Sequence, residues 1–328
     1  MDAPPLLYLD AETVRACMPG VDERLELARR TMIGLATDAE LPPKVGVHPG
    51  GEAFTAAMPA LLRGPGPDRA SDLLGMKWVL AFPANAAWNL PAIHATVVLN
   101  DARTGLPLAI VDGGPITAER TAAVSGVALS EWAPADARAV AIVGAGVQAG
   151  SHLEVLAHLC AGTELRIAAR HADRAATLAE KARAGGRFAR VESTTDARSA
   201  VAGADVVITM VSFGPDRQSL AAESLSNAAL VIAVDYDMCV PAEFAVSSRQ
   251  FLTDDAGQLR AARQGEVFAG YPDPDASIGE ALLGRAPAPR RDGAVYVNHL
   301  GVGLADVVFA SAILDRAKAI GAGVELPR

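Results

Sequence analysis

The chain has 328 residues, 51% of them hydrophobic and 20% charged, and 29 Lys and Arg against 38 Asp and Glu give a formal net charge of −9. This composition excludes a disordered chain, and the acidic balance argues against binding to the phosphate backbone of nucleic acid. Three widely spaced cysteines (Cys17, Cys160 and Cys239) without metal-ligand spacing predict free thiols in a reducing compartment and no metal site. No apolar run reaches the ~18 residues of a membrane span, and the first residues lack the basic segment of a signal peptide. We therefore predict a cytoplasmic protein without membrane or nucleic-acid partners.

The first 115 residues contain several apolar runs that are typical of neighbouring strands. A helix over residues 22–37 precedes strands predicted over 53–59, 76–82, 93–100 and 106–111. Turn signals such as Asn100-Asp101 and Thr104-Gly105 separate the strands, and no helical pattern lies between them. This arrangement predicts a mostly antiparallel sheet.

The second part of the chain alternates β-branched clusters with helical stretches. A helix over residues 117–132 leads into it, and further helices are predicted over 148–159 and 173–184. The predicted strands are residues 139–143, 165–168, 205–211, 230–234 and 250–253. Short apolar strands that alternate with helices predict a parallel sheet covered on both faces. After an exposed loop at 287–291, a strand at 295–297 and a helix at 306–320 are predicted to return to the first domain.

The first strand of the parallel sheet runs directly into Gly144-Ala-Gly146-Val147-Gln148-Ala149, which opens a helix. Gly144 permits a tight turn, Gly146 lets a pyrophosphate approach the backbone, and Ala149 permits close packing of helix on strand. The phosphates would lie over N–H groups at the helix N-terminus. The strand before and the helix after this motif favour a dinucleotide site over a turn without a ligand. We expect all five named residues to contact the cofactor.

The end of the next strand indicates which nicotinamide cofactor is bound. An NAD site usually has Asp or Glu about 20 residues past the glycines. Here residues 165–169 end without an acid, and Arg170, His171 and Arg174 follow. Arginine suits the 2′-phosphate of NADP, since it offers paired donors and a fixed charge. The sequence favours NADP(H); NAD(H) is the alternative, with these residues as ordinary exposed cations.

Three cations of the first 125 residues lie in apolar surroundings. Lys44 follows two prolines, Lys77 lies within a predicted buried strand, and Arg120 follows a strand and a turn. A buried ammonium without a partner is unfavourable, so Lys77 requires an anion. The planar fork of Arg120 suits a carboxylate. For each residue, a structural ion pair is the alternative to substrate binding.

These segments resemble the ornithine cyclodeaminase/mu-crystallin family, whose members include cyclodeaminases, ketimine reductases and amino-acid dehydrogenases. The matching segments are Met58-Pro59-Ala60, Lys77-Trp78-Val79, residues 100–109, Asp112-Gly113, residues 116–123, residues 144–149 and residues 300–306. The resemblance spans nearly the whole chain. It implies an α/β fold in which a Rossmann doubly wound parallel sheet, over residues 125–293, is inserted in a discontinuous α+β domain. That second domain, residues 1–124 plus 294–328, would bind substrate and form a homodimer.

The resemblance also implies a basic cluster that holds the α-carboxylate of the substrate. Lys77 and Arg120 match its lysine and its second arginine, whereas Lys44 stands where the family usually has an arginine. We expect Met58 to lie beside the substrate in the same cluster. The further cofactor contacts that we expect are Thr121, Val211 and Ser212.

Several positions depart from the family pattern. Ornithine cyclodeaminases have a catalytic glutamate just before Met-Pro, where this chain has Ala56 and Ala57, which argues against cyclodeamination. Asp237 matches the carboxylate that orients the substrate amine, and Asp235 is an additional acid. Either could have a raised pKa and donate a proton, or they could cap a helix and face solvent. His299 replaces a small residue, and is either a proton donor or a buried core histidine.

We therefore predict an NADP(H)-dependent oxidoreductase that acts on the C=N or C–N bond of a small amino or imino acid. Lys77, Arg120 and Asp237 are the predicted catalytic residues. Lys44, Met58, Asp235 and His299 are further predicted substrate contacts. The alternatives are an NAD-dependent cyclodeaminase, an amino-acid biosynthetic dehydrogenase of the same family, and a non-catalytic protein that binds NADPH or a small ligand.

Overall fold

The computed structural model of the protein describes residues 4–51, 53–67, 69–263 and 267–327. The strands are β1 (Leu6–Leu9), β2 (Ala39–Glu40), β3 (Val45–Val47), β4 (Phe54–Leu62), β5 (Leu73–Ala81), β6 (Ile93–Asn100), β7 (Pro107–Asp112), β8 (Ala139–Val143), β9 (Glu164–Ala168), β10 (Arg190–Thr194), β11 (Val206–Thr209), β12 (Leu230–Ala233), β13 (Gln250–Thr253), β14 (Ala276–Ser277), β15 (Val295–Asn298) and β16 (Val324–Leu326). The α-helices are α1 (Ala11–Ala16), α2 (Val21–Leu35), α3 (Gly113–Trp132), α4 (Val147–Leu159), α5 (Ala172–Ala184), α6 (Ala197–Val201), α7 (Ala242–Ser247), α8 (Ala256–Ala262), α9 (Ile278–Leu282) and α10 (Gly303–Ile320).

The chain forms two compact units, and the first of them is discontinuous. It consists of Met1–Arg120 and Gly301–Arg328, and the second unit is Thr121–Leu300. The first division falls within α3, close to the expected position. The second falls after Leu300 and not after residue 293, because β15 belongs to the second unit.

The first unit is built on a mostly antiparallel sheet, as its alternating apolar runs predict. The strand order is β16-β1-β7-β6-β5-β4-β2, with β3 paired to β4. All described pairs of this sheet are antiparallel except the pair of β1 with β7, which is parallel. The apolar helix α10 packs on β4, β5 and β6. A Cβ at Gly303 would lie 2.4 Å from the backbone oxygen of Met58, so only glycine lets α10 begin this close to β4.

The second unit is a parallel sheet, which confirms the predicted Rossmann α/β fold. Its order is β10-β9-β8-β11-β12-β15-β13-β14, and all its described pairs are parallel. The residues of β8, β11, β12 and β13 are buried, as continuous apolar strands require when helices cover both faces. Strand order reverses beside β8, and ligands of such sheets bind at the carboxyl ends of the strands near this point.

The expectation that β15 returns to the first domain is wrong. The strand lies between β12 and β13 and pairs in parallel with both. All four of its residues are buried, so their backbone groups need hydrogen-bond partners along both edges, which the second sheet provides.

One prediction made from composition has a structural counterpart. Cys17, Cys160 and Cys239 are free and buried, as expected. Among the described residues, no helix combines the length and the apolar character needed to cross a membrane.

Candidate functional site

A buried cluster of charged side chains lies in the first unit. Lys77 on β5 is 1% exposed, Arg120 on α3 is 5% exposed, and Asp306 in the first turn of α10 is fully buried. The Nζ atom of Lys77 lies 2.7 Å from Oδ2 of Asp306, and Nε of Arg120 lies 3.2 Å from Oδ1. Lys77 also donates to the hydroxyl of Thr117 at 3.5 Å. One carboxylate therefore serves two buried cations.

The cluster carries more positive than negative charge. Burial lowers the pKa of Lys77 to about 7; the ion pair with Asp306 opposes this shift, whereas the positive charges of Arg120 and Lys44 reinforce it. Lys44 is partly buried and lies immediately before β3. Its charge is close enough to influence Lys77. An additional anion bound here would offset the surplus charge and favour the charged form of Lys77.

Strand register and Gly301 hold the cluster in place. Met58 on β4 is paired directly with Lys77 on β5 and is itself buried. Gly301 has a φ of +80°, and a Cβ there would lie 2.7 Å and 2.9 Å from the two Nη atoms of Arg120. The guanidinium therefore lies against the backbone of Gly301, where a side chain would displace it. The structure brings Met58, Lys77 and Arg120 together, and Lys44 is close enough for its charge to affect Lys77.

Asp306 is the member of this cluster to which the sequence assigned no role. It belongs to the C-terminal segment that resembles the family. Its signal is its context, since it is the sole acid in the apolar run from Gly303 to Ala310. A buried lysine requires an anion, and an acid inside an apolar helix is the natural candidate for one.

The glycine turn of the second unit has the shape of a dinucleotide site. Gly144 has a φ of +128°, and a Cβ there would lie 2.6 Å from the backbone oxygen of Met210. Gly146 precedes α4, and a Cβ there would meet nothing within 4 Å. Among the described side chains, none caps the N-terminus of α4, and Val147 is 77% exposed. Open space over a helix N-terminus fits the pyrophosphate of a nicotinamide dinucleotide. Ala149 is fully buried, as the tight packing of α4 requires.

The cations that follow β9 lie at the neighbouring strand end. β9 pairs with β8 in parallel, so Arg170 and the glycine turn are at the same edge of the sheet. His171 precedes α5, Arg174 lies in its first turn, and all three residues are exposed. No ion pair holds Arg170 or Arg174 among the residues that the structure describes. The donor set fits the 2′-phosphate of NADP.

The carboxylate of Asp237, which is a predicted catalytic residue, is bound by other parts of the second unit. The carboxylate is fully buried, and Nη1 of Arg217 donates to its Oδ1. The backbone N–H of Phe268 donates to its Oδ2 at 2.8 Å. Both oxygens of Asp237 accept from protein donors, so the carboxylate joins two loops of the second unit.

The carboxylate of Asp235, which is a predicted substrate contact, is bound by the end of β11 and the residues after it. The hydroxyl of Thr209 donates to its Oδ1 at 2.9 Å, and the backbone N–H of Val211 donates to its Oδ2 at 3.0 Å. Burial raises the pKa of Asp235 to about 6, and these hydrogen bonds limit the shift. The carboxylate thereby fixes Val211, whose N–H is no longer available to a cofactor. Ser212 is exposed beyond it, and Thr121 is buried in α3.

His299 is buried at the end of β15 in a chain of polar side chains that the sequence did not predict. Its Nε2 lies 2.9 Å from Oγ of Ser125, which lies 2.8 Å from Nε2 of His152. Nδ1 of His152 lies 2.7 Å from the backbone oxygen of Gln148. A histidine on the apolar face of α4, four residues after Gln148, was the available signal.

Residues 12–321 match the model of the "Ornithine cyclodeaminase/mu-crystallin family". The nodulation efficiency protein NfeD of Rhizobium meliloti is 31% identical over 287 residues, which cover 87% of this chain and 86% of that protein. The ketimine reductase mu-crystallin of Mus musculus is 30% identical over 272 residues, 80% of each chain. The structure of Thermococcus litoralis Δ(1)-pyrroline-2-carboxylate reductase with NADH and L-proline has a TM-score of 0.83 at 22% identity, and the match covers 98% of this chain and 100% of that one. The family match spans both units and includes the cation cluster and the glycine turn, so this chain belongs to the ornithine cyclodeaminase/mu-crystallin family.

Proposed function

We propose that this protein is a nicotinamide-dependent oxidoreductase, with NADP(H) as its preferred cofactor, that acts on the C=N or C–N bond of a small amino or imino acid. The observation that carries this proposal is the buried surplus of positive charge around Asp306. A substrate α-carboxylate is an anion that would neutralise it. The mouse relative is a ketimine reductase by name, and a cyclic ketimine with an α-carboxylate has the required chemistry.

The cluster offers donors for a second carboxylate. Arg120 engages Asp306 through Nε, so its two Nη groups lie outside that ion pair and suit a bidentate contact. Lys77 has three N–H donors, of which Asp306 and Thr117 account for two. A bound carboxylate would keep Lys77 charged, because a nearby negative charge raises the pKa of an ammonium group.

The second unit offers groups that would bind the cofactor. The turn from Gly144 to Gly146 would hold the pyrophosphate, and Arg170 with Arg174 would hold the 2′-phosphate. When bound, the nicotinamide supplies the hydride. The residues of this chain contribute chiefly by orienting the substrate, and orientation alone can lower a barrier by about 7–11 kcal/mol.

Reduction is favoured over cyclodeamination by the residues beside Met58. Ala56 is fully buried on β4, at the position where the cyclodeaminases carry a catalytic glutamate. An alanine cannot exchange protons there. The homodimer is also part of this proposal, on the family resemblance alone.

The test is NADPH oxidation with a panel of cyclic ketimines and of 2-oxo acids mixed with amines, beginning with Δ1-pyrroline-2-carboxylate. Turnover is expected to require the carboxylate of the substrate. Δ1-Pyrroline, which has the same ring without a carboxylate, is the control substrate. Lys77→Met is expected to abolish turnover, while Lys181→Met, which removes an exposed cation on α5, leaves it intact. Equal rates with the two pyrrolines, or full activity of Lys77→Met, would remove the proposed carboxylate site.

A further inference from the structure

The polar chain around His299 constrains where its hydrogen atoms lie. Ser125 and His152 are fully buried, and His299 is 1% exposed. The chain runs from the backbone oxygen of Gln148, in the first turn of α4, through His152 and Ser125 to His299. Each hydrogen bond of the chain joins one ring nitrogen to one oxygen. The position of the hydrogen atom on one group therefore determines whether its neighbour donates or accepts.

The direction of the chain follows from its first link. A backbone oxygen only accepts, so Nδ1 of His152 must carry a hydrogen atom. Burial lowers the pKa of His152 to about 4, opposed by the bond to Gln148, so at neutral pH the ring has no second hydrogen. Its Nε2 therefore accepts the single hydroxyl hydrogen of Ser125. The oxygen of Ser125 must then accept from His299, which requires a hydrogen on Nε2 of His299.

We propose that Ser125 and His152 are positioning residues that hold His299 as its Nε2–H tautomer, so that Nδ1 is the nitrogen at which His299 releases and regains the proton of the reaction. The proposal rests on the function proposed above. Protonation at Nδ1 leaves every bond of the chain intact, because Nε2 keeps its hydrogen in both charge states. The hydrogen bonds from His299 through Ser125 and His152 to Gln148 therefore keep their direction when His299 changes charge.

The location of His299 suits this role. It follows β15 at the carboxyl edge of the parallel sheet, where ligands of this fold bind. Asp235 and Asp237, the two acids expected to exchange protons there, have both oxygens engaged by protein donors.

The step balances in the reductive direction. The imine carbon receives a hydride, with its two electrons, from the reduced cofactor. The electron pair of the C=N π bond takes the proton from Nδ1 of His299, so one C–H and one N–H bond form. His299 is left neutral as the Nε2–H tautomer and regains its proton from water.

The tautomer is measured by ¹⁵N NMR of histidine-labelled protein, with the signals of His299 and His152 assigned by their loss in His299→Gln and His152→Leu. Neutral His299 is expected with its hydrogen on Nε2 in the wild type, and this preference is expected to disappear in Ser125→Ala. Ser130→Ala is the control, since Ser130 is an exposed serine of the same helix that bonds a backbone oxygen. A wild-type His299 with its hydrogen on Nδ1, or an unchanged tautomer in Ser125→Ala, would overturn the proposal.

Kinetics provide the second measurement. Ser125→Ala is expected to lower kcat at least about tenfold, a fraction of the full effect of general acid catalysis, with KM unchanged, and His158→Gln on the same helix as His152 is expected to leave both constants unaltered. If Ser125→Ala does not fold, His152→Leu is the second variant, because it removes the acceptor that orients the hydroxyl hydrogen of Ser125. An equal change of kcat and KM would contradict a positioning role. If the wild type reduces no imine at all, the proposed function fails, while the tautomer is still decided by NMR.

Discussion

At the scale of single residues, Lys77 is the group whose charge depends most on its surroundings. Its pKa is lowered by burial to about 7 from 10.5, so between these values the unfolded chain holds a proton that the folded protein releases. The free energy of unfolding must therefore rise with pH in this range, by at most about 1.4 kcal/mol per pH unit.

This rise is expected in wild type and absent in Lys77→Met, where no ammonium is buried. Urea unfolding at a series of pH values from neutral to alkaline measures it. Lys181→Met serves as the control, because its exposed ammonium leaves the wild-type profile unchanged. Parallel profiles for wild type and Lys77→Met would show that Lys77 keeps its ordinary pKa in the folded protein.

Arg170 decides the choice of cofactor in this proposal. Arg170→Ala removes a fixed charge and paired donors that only a 2′-phosphate would use, so it is expected to weaken NADPH binding about tenfold or more while NADH binding changes little. Fluorescence titration with both nucleotides measures the ratio of their dissociation constants. Lys181→Ala, at the far end of α5, is the matched loss of an exposed cation. An equal loss for NADPH and NADH would place the 2′-phosphate elsewhere.

The residue scale also shows where the sequence was insufficient. Lys77 and Arg120 were predicted because a cation in an apolar run is visible in the sequence. Asp237 was predicted equally readily, but its role is set by Arg217 and by the N–H of Phe268, and neither contact has a sequence signature. Side-chain partners that are distant along the chain become visible only in the folded protein.

At the scale of elements, the N-terminus of α4 is a place where a substitution is expected to affect nucleotide binding without affecting folding. Gly146 has open space where a Cβ would lie, as does Gly150 one turn later in the helix. Gly146→Ala is expected to fold and to lower NADPH affinity at least about tenfold, because the added methyl occupies the space that a pyrophosphate needs. Gly150→Ala is the control, and is expected to bind normally and to be more stable by about 0.5–1 kcal/mol. Thermal unfolding and nucleotide titration of both variants measure this, and unaltered affinity in Gly146→Ala would argue against a nucleotide on this turn.

Elements with strong local patterns were predicted well. The mostly apolar strands β8, β11, β12 and β13 and the helices between them follow from hydrophobic patterning alone. Patterning did not predict to which sheet β15 belongs, because the apolar sequence of this strand suits either unit. Only the strand order shows that β15 completes the parallel sheet. Local sequence specifies a strand, whereas the choice of its neighbours depends on the whole chain.

At the scale of the whole molecule, the first unit is assembled from two distant stretches of chain. Strands β1 to β7 of its sheet come from the N-terminal stretch, while α10 and the edge strand β16 come from the C-terminal one. The pattern of the sequence predicted that the C-terminal helix returns to the first unit, and the resemblance to the family implied the insertion of the second.

The shared carboxylate of Asp306 has a consequence for how such proteins can be recombined. Lys77, Arg120 and Asp306 are far apart along the chain. Replacement of any one of them would leave a buried charge uncompensated. A chimera of two family members that exchanges only the segment 121–300 inherits this triad from one parent. A crossover between residues 77 and 120, or a single crossover anywhere between residues 120 and 306, draws it from two parents. Libraries built by shuffling should therefore lose most members of the second kind whenever the parents differ at these positions.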